Sequence, residues 1–177
     1  MILDLLQRVC NSLDDAHIPY MISGSIALNI YSIPRMTRDI DIVVELTESR
    51  IDEFTNLFPD SYFDKEVIRN EIRRKGMFNI IDHQTGFKID FIIRKETEYF
   101  NLAFQRRLRI HELDTDLWVI RLEDLVIAKL IWIQEHQSEK QAVDIENLLL
   151  NRDKDINYIK QWCEILHLKT FNLLDHA

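Results

Sequence analysis

Cysteine, glycine and proline are scarce in this chain of 177 residues, at two, three and three copies. Cys10 and Cys163 lie far apart with no metal-ligand spacing around them, which excludes a disulfide framework and a zinc site. The amino terminus has no basic region followed by a long apolar run, and no stretch is apolar for long enough to span a bilayer. A cytoplasmic protein with no membrane attachment is expected. Internal repeats and low-complexity segments are also missing. With so few glycines, the one that falls between a strand and a helix, Gly24, is informative.

The residues present suit one well-cored domain or a small sheet domain with a helical appendage: 46% are hydrophobic and 10% aromatic. A net charge of −8 argues against a protein that coats nucleic acid. Positive charge nevertheless clusters at Arg69, Arg73, Arg74 and Lys75, and again at Arg94, Lys95, Arg106, Arg107 and Arg109. Both clusters read as solvated surface or as a local channel for a polyanion.

Apolar positions Ile2, Leu5, Leu6, Val9 and Leu13 repeat with a helical period, predicting a helix over 2–16 that Pro19 ends. A short strand over 20–23 runs into Gly24, and a helix from Ser25 to Tyr31 is closed by Pro34. A buried strand over 39–46, a helix over 48–58 and a polar basic helix over 64–75 follow. Strands over 77–81 and 87–93 form a hairpin about the turn at 83–86. A helix over 96–104 and short strands at 107–110 and 117–120, around a turn at 114–116, complete this part. After Arg121 come three amphipathic helices, over 122–136, 139–151 and 156–166. The expected fold is mixed α/β (α+β): a short mixed sheet flanked by helices over 1–120, then a helical bundle over 121–177 packed on it. Trp118, Trp132 and Trp162 are expected in the core. The histidines at 17, 83, 111, 136, 167 and 176 have no ligand spacing.

The chemistry concentrates in Gly24-Ser25, Asp39-Ile40-Asp41 and Ile89-Asp90-Phe91. Along a strand the side chains alternate, so Asp39 and Asp41 share one face while Ile40 and Ile42 point into a core. Burying such acids costs several kcal/mol per ion, roughly, unless a cation compensates. Hard oxygen ligands suit Mg²⁺ or Mn²⁺, and Asp90 on a neighbouring strand can complete the set. Gly24 and Ser25 at a helix start offer backbone N–H groups and a hydroxyl to phosphate oxygens. Each piece also has a plainer reading. Gly24-Ser25 can be a turn with a serine N-cap, worth about 1 kcal/mol, and Asp39 can pair with Arg35 or Arg38. Asp82 rivals Asp90 for the third role but sits beside a turn, where aspartate is common.

The order strand, Gly-Ser, helix, Asp-x-Asp strand, single-Asp strand resembles the DNA polymerase β-like nucleotidyltransferase superfamily. The wording Arg35-Met36-Thr37-Arg38-Asp39-Ile40-Asp41 is similar to bacterial stand-alone nucleotidyltransferases, relatives of those in abortive-infection toxin–antitoxin systems. The resemblance spans roughly residues 20–165 and continues at Leu122–Leu130 and Ala142–Leu149, where Lys129 and Asp144 match a helical lysine and a downstream aspartate. The interval from Gly24-Ser25 to Asp39 is longer than in the most compact relatives, and 64–75 lies outside the shared signature.

The resemblance implies transfer of a nucleoside monophosphate from a nucleoside triphosphate (NTP) to a hydroxyl, by two-metal catalysis. Gly24 and Ser25 would hold the phosphates, with Lys129 either a further triphosphate contact or a surface lysine. Asp39 and Asp41 would bind Mg²⁺ (or Mn²⁺), and Asp90 would bind a second ion and favour deprotonation of the acceptor. Asp144 reads as catalytic or as an exposed helix acid. The acceptor is open between a tRNA end, a protein and a small molecule such as an antibiotic, and a toxin–antitoxin partner protein is implied as well. The alternatives are a catalytically idle binding module, antitoxin-like or regulatory, and an unrelated metal-dependent hydrolase.

Overall fold

The computed structural model describes residues 2–112, 114–136 and 138–175; His176, among the histidines read from sequence, lies outside them. Helix α1 (Ile2–Asp15) buries Leu5, Leu6, Val9, Cys10 and Leu13, the stripe its apolar period predicts. Strand β1 (Tyr20–Ile22) leads into α2 (Gly24–Tyr31), and β2 (Asp39–Val44) follows. A single 3₁₀ turn (Glu48–Arg50) precedes α3 (Ile51–Asn56), so the helix expected over 48–58 is divided. A two-residue strand β3 (Ser61–Tyr62) comes next, too short to leave a periodic signal.

Helix α4 (Lys65–Arg74) starts at Asp64, whose carboxylate accepts from the Glu66 and Val67 N–H groups. It stops at Lys75, which takes a left-handed conformation (φ 53°). Strands β4 (Met77–Asp82) and β5 (Lys88–Ile93) form the expected hairpin. At its turn, Asp82 accepts from the Thr85 N–H and hydroxyl and pairs with Arg8, which occupies it structurally. Helix α5 (Glu98–Gln105) is followed by β6 (Leu108–Glu112) and β7 (Thr115–Val119), which includes Thr115 and Asp116, expected in the turn. Three helices close the chain: α6 (Leu122–Glu135), α7 (Glu139–Leu149) and α8 (Ile156–Ile165). No helix among the described residues is long and apolar enough to cross a membrane.

The seven strands form one mixed sheet in the order β3-β4-β5-β2-β1-β7-β6. β2 and β5 run parallel at its centre, with Ile40 beside Ile89, Asp41 beside Asp90 and Ile42 beside Phe91. β1 is antiparallel to β2 and parallel to β7. Ile40, Ile42, Val44, Ile89, Phe91 and Ile93 are all buried, as the alternation requires. On the other side of the ladder stand the carboxylates.

Beneath β4 and β5, Phe54 is the hub of an aromatic cluster, 5.0 Å from Phe91, 5.2 Å from Phe58 and 5.7 Å from Phe78 between ring centroids. Around α6 packing is less directional, because that helix is apolar on most sides. Nine of its residues are buried, yet Trp132, expected in the core, is 50% exposed and stacks on His136.

Phe54→Ala would empty the hub of the cluster. It is expected to cost about 3–5 kcal/mol, read as a lowered midpoint in urea denaturation. A loss below about 1 kcal/mol would mean the cluster closes over the gap.

Candidate active site

The site is built where β1 turns into α2 across the central strands. After Ile22, the Ser23 N–H donates to the Asp41 carbonyl at 2.9 Å, tying this turn to the middle of β2. Gly24 then opens α2 with φ +57°, and a Cβ on it would overlap the Asp41 side chain. Only glycine supplies both that backbone and that space. The N terminus of α2 thereby meets the Asp41 carboxylate, which accepts from the Ser25 backbone N–H. The helix begins one residue earlier than expected, and Ser25 is no N-cap. The N-cap position is Ser23, whose side chain makes no capping bond. The Ser25 hydroxyl instead accepts from Arg35 Nη2 at 2.8 Å.

Asp41 and Asp90 face each other across the parallel ladder. Burial first, then the Asp90 charge, push the Asp41 carboxyl above its ordinary range, while the Ser25 N–H pulls it back. The Asp90 side chain is 8% exposed; its Oδ2 is 2.8 Å from Lys88 Nζ and its Oδ1 is buried with no hydrogen-bond partner. Asp39 stands at the rim, more than half exposed, with Lys88 Nζ at 3.8 Å. It pairs with neither Arg35 nor Arg38 in any bond the structure records.

An all-oxygen donor pair with one buried, orphaned oxygen suits a hard divalent cation. Among the described residues, however, no set of three or more His, Cys, Asp and Glu side chains already converges on a metal position. Asp41 and Asp90 fit the ion as a pair, while Asp39 waits at the edge and Lys88 lies between.

A second group adjoins the cradle. Arg35 grips Asp144 side-on, Nε to Oδ1 at 2.9 Å and Nη2 to Oδ2 at 2.8 Å, and the same Nη2 holds Ser25. Its backbone is clamped by Asn29, which exchanges two bonds of 2.9 Å with the Arg35 N–H and carbonyl. Lys129 Nζ donates to Asp144 Oδ2 and to Gln141 Oε1, both at 2.8 Å. Lys129 is only 5% exposed and Asp144 only 1%, so neither is the surface group that each plainer reading allowed. Lys129 reaches Ser25 through Asp144 and Arg35 rather than directly. Burial draws the Lys129 ammonium below the usual lysine range, with Asp144 opposing it. Burial acts against ionised Asp144 too, but its bonds to Arg35 and Lys129 outweigh that and hold the carboxyl below 3.8.

The structure thus brings together Gly24, Ser25, Asp41 and Asp90, with Asp39 at their edge and Lys129 and Asp144 behind. It adds Arg35, Lys88 and Asn29. Lys88 carried a usable signal, since it lies two residues before Asp90 and shares its face. Arg35 lies within the Arg35–Asp41 motif, where the sequence offers it only as a partner for Asp39.

A family model described as "Nucleotidyltransferase of unknown function (DUF6036)" matches residues 1–170. No curated protein matches the chain in sequence. Among solved structures, ANT(2'')-Ia in complex with adenylyl-2''-tobramycin superposes with a TM-score of 0.62 at 11% identity, covering 93% of this chain and 95% of that one. TM1012 from Thermotoga maritima, inferred to be a nucleotidyltransferase, gives 0.54 at 16% identity over 78% and 89%. The lincosamide antibiotic adenylyltransferase LnuA, lincomycin-bound, gives 0.51 at 14% identity over 83% and 91%. Identities this low establish a shared fold and nothing finer.

Two outcomes test the geometry. Gly24→Ala is expected to lose about 1–2 kcal/mol from the left-handed backbone alone, and more as Asp41 is displaced. An unchanged denaturation midpoint would contradict the close approach. For Asp144 the folded carboxyl lies below 3.8, so its stabilisation is complete above that pH and disappears as pH falls through the folded value. Asp144→Asn should therefore be less stable than wild type at neutral pH, by about 3 kcal/mol. That gap should shrink in denaturation curves taken progressively below pH 3.8; a constant gap would assign the loss to something other than charge.

Proposed function

We propose an enzyme, starting from the fact that the chain belongs to the nucleotidyltransferase family DUF6036: it transfers a nucleoside monophosphate from an NTP to an acceptor hydroxyl and releases pyrophosphate. The observation that carries this reading is the in-register Asp41–Asp90 pair beneath the α2 N terminus, with Asp90 Oδ1 left unpartnered. Asp41 and Asp90, joined by Asp39, would hold Mg²⁺ or Mn²⁺. A divalent cation in such a site neutralises phosphate charge and makes a hydroxyl easier to deprotonate.

The other roles fall to the chain's own groups. The N–H groups at the start of α2 and the Ser25 hydroxyl receive phosphate oxygens. Arg35, already 2.8 Å from that hydroxyl, supplies the nearest fixed positive charge and a planar fork suited to phosphate. Asp144 and Lys129 keep Arg35 in place, so we assign Lys129 to the phosphate side through this chain. Asp90, buried and short of hydrogen bonds, is positioned to take the acceptor proton.

For the acceptor, surface charge favours a small molecule over a polyanion. The basic residues at 69–75 are engaged by acids: Arg69 by Glu66, Arg73 by Glu48, Arg74 by Glu71 and Lys75 by Glu96. In the second cluster Arg94 pairs with Glu45, Arg106 with Glu123 and Arg109 with Asp116, and Arg107 lies over Phe104 and Trp118. Among the described residues, Lys95 over Phe100 and Arg107 are the cluster members not set against acids in an ion pair, so such a surface offers RNA few uncompensated charges. One structural neighbour is named a lincosamide antibiotic adenylyltransferase and another holds adenylyl-2''-tobramycin, which makes a hydroxylated small molecule with ATP the first pair to assay. Neither the family match nor these neighbours speaks to a toxin–antitoxin partner.

The test is incubation with each α-phosphate-labelled NTP, Mg²⁺ and separate pools of metabolites, RNA and protein. Label is expected on the small-molecule pool, and Asp41→Asn or Asp90→Asn should lower transfer by at least about two orders of magnitude. Folded protein that transfers no label from any NTP would instead indicate the idle binding module. Phosphate release with no labelled acceptor would indicate a hydrolase.

A further inference from the structure

Lys88 is a charged side chain that the transfer reaction described above does not use. It lies beside Asp39 in the β2–β5 register and two residues before Asp90, so it projects over the acidic face of the sheet. Its Nζ is 2.8 Å from Asp90 Oδ2 and 3.8 Å from Asp39 Oδ1, and the Asp41 charge also acts on it. The ammonium therefore sits between the Asp90 and Asp39 carboxylates, on the acidic face to which a divalent cation would be drawn. It satisfies those carboxylates incompletely, because Asp90 Oδ1 still has no partner. One positive charge also faces three acids.

The two ends of this contact differ in freedom. Asp90 is fixed in the centre of the sheet at 8% exposure, whereas the Lys88 side chain is 40% exposed on a flexible four-carbon stem. The lysine can swing into solvent and the carboxylate cannot follow. A divalent ion gains more from these oxygens than an ammonium does, but only after the ammonium has left.

We propose that Lys88 is a resident counter-ion of the acidic site, which neutralises the carboxylates in the metal-free protein and must be displaced before a divalent cation binds. This rests on the reading of Asp41 and Asp90 as cation ligands. The lysine keeps the empty site folded and at the same time lowers its affinity for bare cation.

The experiment is Mn²⁺ titration without nucleotide, reading free ion by electron paramagnetic resonance, for wild type, Lys88→Met, Lys88→Gln, Lys88→Arg and Asp90→Asn. Both neutral variants should bind Mn²⁺ about tenfold more tightly than wild type. Lys88→Arg, which keeps the charge, should stay within about threefold of wild type, and Asp90→Asn should lose binding. In chelator, Lys88→Met should melt below wild type, and added Mn²⁺ should raise its melting temperature by more. Equal or weaker binding by the folded neutral variants would overturn the role of Lys88 while leaving the cation site standing, as would tighter binding by Lys88→Arg. If neither wild type nor the neutral variants bind Mn²⁺ at millimolar concentration, the cation site falls and the counter-ion role with it.

Discussion

Two carboxylates, Asp41 and Asp90, meet in register across the central β2–β5 ladder, and the rest of the site is arranged around that repulsion. Like charges held close in a partly desolvated place disfavour their own ionisation, and the raised Asp41 carboxyl reflects both effects. Nothing in the apolar core requires this pair. Ile40, Ile42, Ile89 and Phe91 fill the opposite face of the same strands and would do so whatever stood at 41 and 90. The fold therefore carries a local cost at its centre, the pattern expected where function rather than stability selects the residue. The same pair accounts for Gly24, since any side chain there would enter the space of the Asp41 carboxylate.

A second constraint joins the C-terminal helices to this centre. Lys129 on α6 and Asp144 on α7 are buried together, and Asp144 in turn holds Arg35 beside Ser25. A buried ion pair is poor evidence for stability, because desolvation consumes most of the attraction. Its use here is geometric. Arg35 lies in the segment between α2 and β2, where a long side chain has many rotamers. Asp144 and Ser25 hold that side chain, while Asn29 clamps its backbone. Tyr31 adds to the link, with its hydroxyl donating to the Ile120 carbonyl at 2.7 Å and its own carbonyl accepting from Asn151. The helices after Arg121 thus set the position of a cation at the cradle as well as packing against α2.

How much of this was legible in the sequence depended on the range of the interaction. Asp39 and Asp41 could be read from strand alternation alone, because period two is a local property. That β2 lies beside β5, and so Asp41 beside Asp90, is a crossover whose register no local pattern encodes. Asp144 shares α7 with Glu139 and Glu146; the resemblance marked it, and only packing shows that α6 and Arg35 enclose it. The exposure of Trp132 escapes the sequence for a related reason: a helix apolar on most sides gives no phase from which to tell its inner face. The basic clusters were visible as composition, but their acidic partners sit up to dozens of residues away, as with Arg94 and Glu45.

The charges of the site are divided in space, and the division bears on how it fills. On the strand side three carboxylates are opposed by one ammonium, an excess of negative charge. On the helix side Arg35 and Lys129 share the single carboxylate of Asp144, an excess of positive charge. Gly24 and Ser25 lie on the boundary. A triphosphate set against that boundary is attracted by one half and repelled by the other, so its own charge cannot satisfy both. The acidic half becomes favourable to phosphate only when its excess is cancelled by more than one lysine supplies. Under the proposed function, this charge layout would make nucleotide and divalent cation mutually dependent guests, with that dependence resting on Asp41 and Asp90 at the centre of the sheet.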